Sequence, residues 1–267
     1  MRIKVLAFAA SLLLISNSSA GYPQSPTPTN SQQASTLLAQ SATALTGSTT
    51  ITDVTLTGTV EWIAGSDDET GNVTYKGLSG AYRLDMTFRN GTRSEAVSQG
   101  QDAPTGTWTG LDGVSHPFVS QNLMTPPGWF PVFMIGNLLS SSNSVLVYLG
   151  QETREGINLI HLQSSRAFPD LSDGSAPATQ RLTLADIYLD PTTLVPVSYV
   201  YTSHPDNNSY RDIPTEVRYS NYRPFGGGQI PFHVQKYMNN SLVLDLQFQS
   251  VTLNSGMTAA QVAFIEN

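Results

Sequence analysis

Four histidines, His116, His161, His204 and His233, are the side chains best suited to acid–base or metal chemistry in this sequence. Histidine acts as a metal ligand or a general base near neutral pH. No two of them lie two to four positions apart and the chain has no cysteine, so no metal-binding spacing is present. We therefore predict no metal site and no cofactor. We expect His161 and His233 to be ordinary strand residues, although a site assembled from distant residues stays open.

The motifs for nucleophilic catalysis and ion binding are also missing. The sequence contains no G-x-S-x-G elbow, and without cysteine it cannot be a thiol enzyme. Asp67, Asp68 and Glu69 lack the alternating order of a calcium loop and indicate an acidic hairpin turn. The three glycines 226–228 lie between predicted strands, which favours a loop over a phosphate cradle. We predict no catalytic residues and no enzymatic activity; a hydrolase with an acidic or histidine site is the less favoured alternative.

The aromatic residues are more informative because they are numerous in a weakly charged chain. Only 12% of the residues are charged, against about a quarter in typical domains. Two interpretations are open: simple core packing, or a cavity for a lipophilic ligand that an apolar flap at 129–133 closes. On the second interpretation the candidate ligand-binding residues are Trp62, Tyr82, Met86, Trp129, Phe130 and Phe133.

Period-two alternation dominates the elements that would position these residues. The spacing of leucines and alanines predicts one helix over Ser31–Thr46, with Gly47 at its end. After it, apolar and polar residues alternate through 54–62, 73–75 and 82–88, which predicts strands with one buried face. Asn90-Gly91 is a strong hairpin signal. This half of the chain therefore predicts a meander of antiparallel strands.

The second half continues the same pattern with two interruptions. Residues 125–139 form the most hydrophobic stretch; Pro126 and Pro127 suit a helix entry, while Pro131 and Gly136 indicate that any helix is short or broken. Residues 168–179 are predicted to be a loop. Strands are predicted at 145–149, 157–163, 181–189, 195–201, 216–222, 229–237 and 241–253. One β-rich domain over 31–267, built on one large antiparallel sheet, is the simplest interpretation.

The N-terminus predicts export. Arg2 and Lys4 precede an apolar run over 5–15, and small residues precede Ala20, so we expect a signal peptide over 1–20 that is cleaved after Ala20. Residues 21–30, rich in proline, are predicted to be a flexible leader. The mature protein is expected to be periplasmic or secreted and not integral to the membrane, since no later segment is long and apolar enough to span it.

The charge balance argues against nucleic acid as a partner. The chain has 13 basic and 20 acidic residues, a net charge of −7. Cleavage would remove two basic residues and leave 11 against 20, a net charge of −9. Because no basic run remains, binding to phosphate backbones lacks its main driving force.

Several short stretches together resemble a known fold. They are 81–87 followed by Asn90-Gly91, the Gly106-Thr107-Trp108 strand, Asp112-Gly113, the D-P-T-T-L-V-P stretch over 190–196, and the closing segments 216–222, 230–231 and 253–264. This order is similar to that of the periplasmic lipoprotein carriers, the LolA-like and RseB-like proteins. The resemblance implies a mainly β fold: a curved antiparallel sheet or incomplete barrel, with an N-terminal helix and a short helical flap, whose concave face binds acyl chains.

Two hypotheses of function follow. The first is a non-catalytic carrier or sensor in the cell envelope that binds a lipid or an acylated protein. The alternative is an envelope protein-interaction module with a solid core and no ligand cavity, which would use its long polar loops as a binding surface. Under the first hypothesis we expect Trp129 and Phe130 to form a mobile lid over a cavity.

Overall fold

The first half of the chain folds as a helix followed by six strands, in a computed structural model that describes residues 27–99, 103–171 and 174–263. The predicted signal peptide and residues 21–26 of the predicted leader lie outside these ranges. The elements of this half are α1 Thr27–Thr46, β1 Asp53–Ala64, β2 Asp67–Leu78, β3 Ala81–Phe88, β4 Gly91–Gln99, β5 Pro104–Thr109 and β6 Ser115–Pro117.

The second half alternates between short helices and seven strands. Within the described ranges no helix has the length and apolarity that a membrane crossing needs. The helices are α2 Ser120–Leu123, α3 Pro131–Ser140, α4 Ala176–Arg181 and α5 Ala259–Val262, and the strands are β7 Ser144–Arg154, β8 Ile157–Arg166, β9 Ala185–Leu189, β10 Pro196–Ser203, β11 Ile213–Phe225, β12 Gly228–Met238 and β13 Ser241–Leu253.

All thirteen of these strands belong to one antiparallel sheet, in the order β6-β5-β4-β3-β2-β1-β13-β12-β11-β10-β9-β8-β7. Two meanders, β1–β6 and β7–β13, are joined where β1 pairs with β13, from Val54 opposite Leu253 to Trp62 opposite Leu244. The ends of the sheet, β6 and β7, are not paired with each other. The predicted mainly β class and open, incomplete closure are therefore confirmed.

The sheet curves strongly enough that strands from its two halves face each other. Glu95 and Val97 of β4 line the same small cavity as Tyr201 of β10 and Lys236 of β12, although six strands lie between β4 and β10 in the sheet order. The buried side chains of the strands point into this concavity, because side chains alternate between the two faces of a strand. The core thus lies on the inner face of the curve.

Helices α1 and α3 cover the concave face and pack against each other. Leu38 and Leu45 of α1 and Ile135 of α3 are fully buried. Helix α1 begins at Thr27, ahead of the predicted Ser31, so the last four residues of the predicted leader are helical. The predicted short helical flap corresponds to α3 and the segment that leads into it.

Two local predictions were wrong, and a third was right about the length of a helix but not about the place of its proline. The helix at this segment was expected to be short or broken, and α3 is short, at 10 residues; Pro131 begins it and does not break it, because proline is accommodated at the first helical position, where no backbone N–H is required. The acidic residues from Asp67 onward belong to β2, and the turn consists only of Gly65 and Ser66. Finally, the predicted loop at 168–179 and strand at 181–189 are interrupted by α4, so β9 begins only at Ala185.

Candidate functional site

A cavity of about 370 Å³ lies between the inner face of the sheet and the segment that contains α3. Its volume falls within the range of roughly 300–1,000 Å³ that is typical of small-molecule sites. The inner faces of β2, β3 and β10 and helix α3 provide its walls. The aromatic side chains that line it are Tyr75, Tyr82, Trp129, Phe130, Phe133 and Tyr199.

These rings contact one another rather than lying scattered. Phe130 packs edge-on against Phe133, with ring centroids 5.1 Å apart, and lies 6.5 Å from Tyr75. Tyr75 in turn stacks on Tyr82 at 6.1 Å. Such arrangements are favourable for aromatic pairs. The cavity therefore has a continuous aromatic wall that joins the sheet to the flap.

Four of the six candidate residues line this cavity: Tyr82, Trp129, Phe130 and Phe133. Trp62 and Met86 do not, although both point to the inner face. Trp62 lies further along β1, where the Arg93 guanidinium stacks 3.8 Å from its ring centroid. Met86 lies nearer the β3–β4 turn and is 8% exposed. The alternation of apolar and polar residues identifies the face of the sheet on which a residue lies, but not its position along the concavity. For this reason the sequence could not separate Trp62 and Met86 from the residues that line the cavity.

The flap segment is tied to the sheet by hydrogen bonds at its entry. The Trp129 indole donates from Nε1 to Glu95 Oε1 at 2.6 Å, and the Tyr219 hydroxyl donates to the Gly128 carbonyl at 2.5 Å. Gly128 has a φ of +67°, and a Cβ there would lie 3.0 Å from the Tyr199 ring, so glycine suits both the turn and the space. Trp129 and Phe130 are only 4% and 2% exposed.

A second cavity of about 190 Å³ adjoins the first and shares Tyr82 and Val97 with it. Glu95 and Lys236 bring charge into this smaller space. Burial lowers the pKa of Lys236, and the nearby Glu95 carboxylate opposes that shift. The ammonium nitrogen lies 5.4 Å from the Trp129 ring centroid. Trp129 is thus placed between an acidic and a basic side chain.

The inner-face tyrosines remain neutral over the physiological pH range. Burial raises the pKa of Tyr82, Tyr201 and Tyr219 far above the ordinary value, and the Glu95 carboxylate adds to the effect for Tyr82 and Tyr201. Neutral phenols combine a large apolar ring with one hydrogen-bonding hydroxyl. The concave face therefore presents an apolar surface with a few uncharged polar points.

Among the described residues, Arg166 at the end of β8 is the only charged side chain in the lining of the larger cavity. It lies in a polar strip with Ser164, Ser165 and Thr183, which also line the cavity. Burial lowers the pKa of Arg166. Sequence reasoning missed this residue, because a single arginine at the end of an alternating strand gives no signal of its surroundings.

None of the four histidines lines the larger cavity. His116 stacks on Trp108 at 4.4 Å, and His161 lies between Glu152 and Asp186, at 2.9 and 3.0 Å. His204 is buried beside Asp212 and reaches only the smaller cavity. Among the described residues, no group of three histidine or acidic side chains has a geometry suited to a metal ion.

His233 connects Ser220 and Asp245 across three adjacent strands. The Ser220 hydroxyl lies 3.1 Å from Nδ1, and Asp245 lies 2.9 Å from Nε2. This order of hydroxyl, imidazole and carboxylate is the order found in serine hydrolases. The cluster, however, lies on the outer face of the sheet, opposite the cavity. Asp245 also accepts a hydrogen bond from Gln235 at 2.6 Å, which indicates that the cluster serves to satisfy a buried carboxylate.

Comparison with known structures identifies the fold. A domain described as an outer membrane lipoprotein-sorting protein from Vibrio parahaemolyticus matches with a TM-score of 0.56 at 12% identity, covering 87% of this chain and 97% of that one. A LolA superfamily protein from Nitrosomonas europaea matches with a TM-score of 0.55 at 12% identity, covering 88% and 98%.

A third structure, a DUF1329 family protein from Desulfovibrio piger, matches with a TM-score of 0.55 at 10% identity, over 88% of this chain and 97% of that one. No family model matches the sequence, and no curated protein matches it at a significant level. The protein therefore has a LolA-like fold, as its sequence motifs predicted, and this fold is shared with lipoprotein carriers. At these identities the likeness defines the fold alone.

Proposed function

We propose that the protein is a non-catalytic binder of a lipophilic ligand, the acyl chain of a lipid or of an acylated protein, in the cell envelope. The observation that carries this proposal is the cavity of about 370 Å³ with its continuous aromatic wall on the concave face. Along its aromatic wall, away from the polar strip at Arg166, a cavity of this size favours an apolar occupant, because water there would lack partners.

The energetics suit an acyl chain. Transfer of apolar surface from water contributes about 25 cal/mol per Å², or about 0.8 kcal/mol for each buried methylene group. Several methylene groups are therefore enough to give measurable affinity after the cost of immobilising the chain. The neutral tyrosine hydroxyls allow an ester or amide of the ligand to be hydrogen bonded without a charged partner.

The expected cell-envelope location is consistent with this function. Removal of the predicted signal peptide after Ala20 would release the mature protein into the periplasm or the medium, where acyl chains need a carrier to cross water. The lipoprotein-sorting description of one structural neighbour points in the same direction. The partner would then be a lipid or an acylated protein.

The alternative, an interaction module with a solid core, is disfavoured by the same cavity. That hypothesis requires the inner face of the sheet to be filled by side chains. A space of about 370 Å³ remains between the sheet and α3.

Ligand binding can be tested on the mature protein with two substitutions on the same helix. Met134 lines the cavity, whereas Leu139 is 38% exposed and lies outside the lining. We expect Met134→Trp to weaken binding of a fluorescent fatty acid because the larger side chain fills the cavity. The expected loss is about tenfold or more, which corresponds to about 1.4 kcal/mol. Leu139→Trp should leave binding unchanged.

Native mass spectrometry with lipid extraction supplies the second measurement. Protein purified from envelope material should carry an extractable lipophilic ligand. Recovery of an entirely unliganded protein that also ignores fluorescent fatty acids would contradict the proposal.

A further inference from the structure

The positive charge of Arg166 has no acidic partner among the described residues. Of the residues that the structure describes, Arg166 is the only charged one that lines the larger cavity, and it forms no ion pair with an acidic side chain among them. Its guanidinium donates a hydrogen bond to the backbone carbonyl of Met124. Burying a charge is costly unless it is paired, so this position is one that an anion would stabilise.

The Arg166 guanidinium has more N–H donors than the described protein acceptors use. An arginine side chain carries five N–H donors in a planar fork that matches the oxygens of a carboxylate or a phosphate. The carbonyl of Met124 takes part of that capacity, and no other protein acceptor of the guanidinium is found among the described residues. A bidentate contact with an incoming anion is therefore available on the cavity side.

Several hydroxyl side chains lie in the part of the lining that contains Arg166. Ser165 and Thr183 line the same part of the wall. Ser144, also in the lining, has a buried hydroxyl that finds no hydrogen-bond partner in the described part of the chain. Buried polar atoms are nearly always hydrogen bonded, so an unpartnered hydroxyl beside an unpaired cation is a second observation that points to a polar ligand group.

We infer that Arg166 and the neighbouring hydroxyls bind the anionic group, a carboxylate or a phosphate, of an amphiphilic ligand whose apolar chain lies against the aromatic wall. This inference rests on the proposed function and specifies its ligand class. A protein with a net charge of −7 repels anions in general. The half-buried, unpaired cation of Arg166 would therefore make the larger cavity a favoured place for an anion.

The test compares two probes that differ only in charge: dodecanoate, and methyl dodecanoate as its neutral analogue, each below its micelle-forming range. Binding to the mature protein is measured by displacement of a fluorescent fatty acid. We expect Arg166→Gln to weaken binding of dodecanoate by about tenfold or more, as the loss of a charge-assisted hydrogen bond implies. Binding of methyl dodecanoate should change by less than about twofold.

The control is Arg89→Gln, which makes the same change of charge at an exposed position outside both cavities. It should affect neither probe. Arg166→Lys should keep part of the preference for dodecanoate, since a lysine retains the charge but not the bidentate fork. Thermal melting of each variant establishes that it is folded before binding is measured.

The outcomes separate the two proposals. If the wild-type protein binds both probes equally and Arg166→Gln changes neither, the inference is wrong and the proposed function stands. If the wild-type protein binds neither probe, the proposed function fails and the inference with it. Acetate and inorganic phosphate are included as free anions: displacement by either at the concentration at which dodecanoate acts would mean that the site recognises an anion and not an amphiphile, which also overturns the inference.

Discussion

On the outer face of the sheet, Arg218 contacts both Glu155 and Glu216, at 2.8 and 2.9 Å, and His161 lies between two carboxylates. On the inner face, Lys236 and Arg166 have no acidic partner within ion-pair distance among the described residues. These two outer-face side chains are therefore paired with opposite charges, whereas Lys236 and Arg166 on the inner face are not.

The two sets of charges have different effects on the stability of the fold. Charges on the outer face are hydrated and paired, so each contributes little to stability. An unpaired charge on the inner face lowers stability because it loses its hydration. Residues that reduce stability without an obvious structural benefit are found where a protein binds or reacts. The comparison predicts large effects of substitution on the inner face and small effects on the outer face.

The largest expected effect is that of Phe130→Ala. Phe130 is 2% exposed and packs against Phe133 and Tyr75. Truncating a buried aromatic should lower the free energy of unfolding by about 3–5 kcal/mol, measured by urea denaturation. Tyr210→Ala, at a residue that is 82% exposed, should change it by less than about 0.5 kcal/mol.

The same experiment tests the predicted mobile lid. A lid that opens freely would tolerate Phe130→Ala with a loss below about 1 kcal/mol, together with reduced ligand binding. The burial of Phe130 leads us to expect the larger loss. If the small loss is observed, the segment at 129–133 is mobile and the inner face is less rigid than its packing indicates.

An intermediate effect is expected for Glu95→Ala. Glu95 accepts the hydrogen bond of the Trp129 indole at 2.6 Å. Its negative charge also raises the pKa of Lys236, against the effect of burial. Its removal leaves a buried donor without a partner, at a cost of about 1–3 kcal/mol. Glu95→Gln, which keeps an acceptor oxygen, should lose less. A red shift of tryptophan emission in the alanine variant would report the release of Trp129; an unchanged spectrum and stability would show that this contact is incidental.

The smallest effect is expected on the outer face, for Glu155→Ala. The Glu155 side chain is 70% exposed and pairs with Arg218, so its loss should cost no more than about 1 kcal/mol. The left-handed backbone at this position, with φ +52°, strains glutamate and alanine alike and does not disturb the comparison. Raising the salt concentration should remove most of the difference between wild type and variant, because exposed ion pairs are screened. A loss as large as that of Glu95→Ala would remove the distinction between the two faces.

The sequence predicted the strands well because each strand has one buried face. Tyr82, Leu84, Met86 and Phe88 alternate with polar residues, and β3 has the expected boundaries. A hairpin forms at the Asn90-Gly91 signal, although its turn residues are Arg89 and Asn90 and Gly91 begins β4. The turn at Gly226 and Gly227 follows from local backbone preferences. Local rules were less reliable at Pro131 and at α4, where a proline and a polar segment begin helices.

The candidate site was less predictable because it depends on the curvature of the sheet. Trp129, Phe130 and Phe133 are neighbours in the chain, so one apolar segment identified all three. Arg166 and Lys236 enter the site from β8 and β12 only because the sheet bends, and no pattern within either strand records the bend. Trp62 and Met86 have the same pattern as the lining residues but lie elsewhere along the concavity.

The pairing of β1 with β13 has a consequence for how the chain folds. The hydroxyls of Thr57 and Ser250 contact each other at 2.6 Å across 193 positions of sequence, and the Asp53 carboxylate accepts hydrogen bonds from the backbone of Ser255 and Gly256. Each meander can form hairpin by hairpin, but this junction must wait for the last strand. Contacts so distant in sequence slow folding.

Until that strand arrives, β1 has an unpaired edge, and unpaired edges invite pairing with other chains. A chain cut before Ser241 would lack β13 and leave the facing edges of β1 and β12 unpaired. We expect such a chain to aggregate and not to bind ligand.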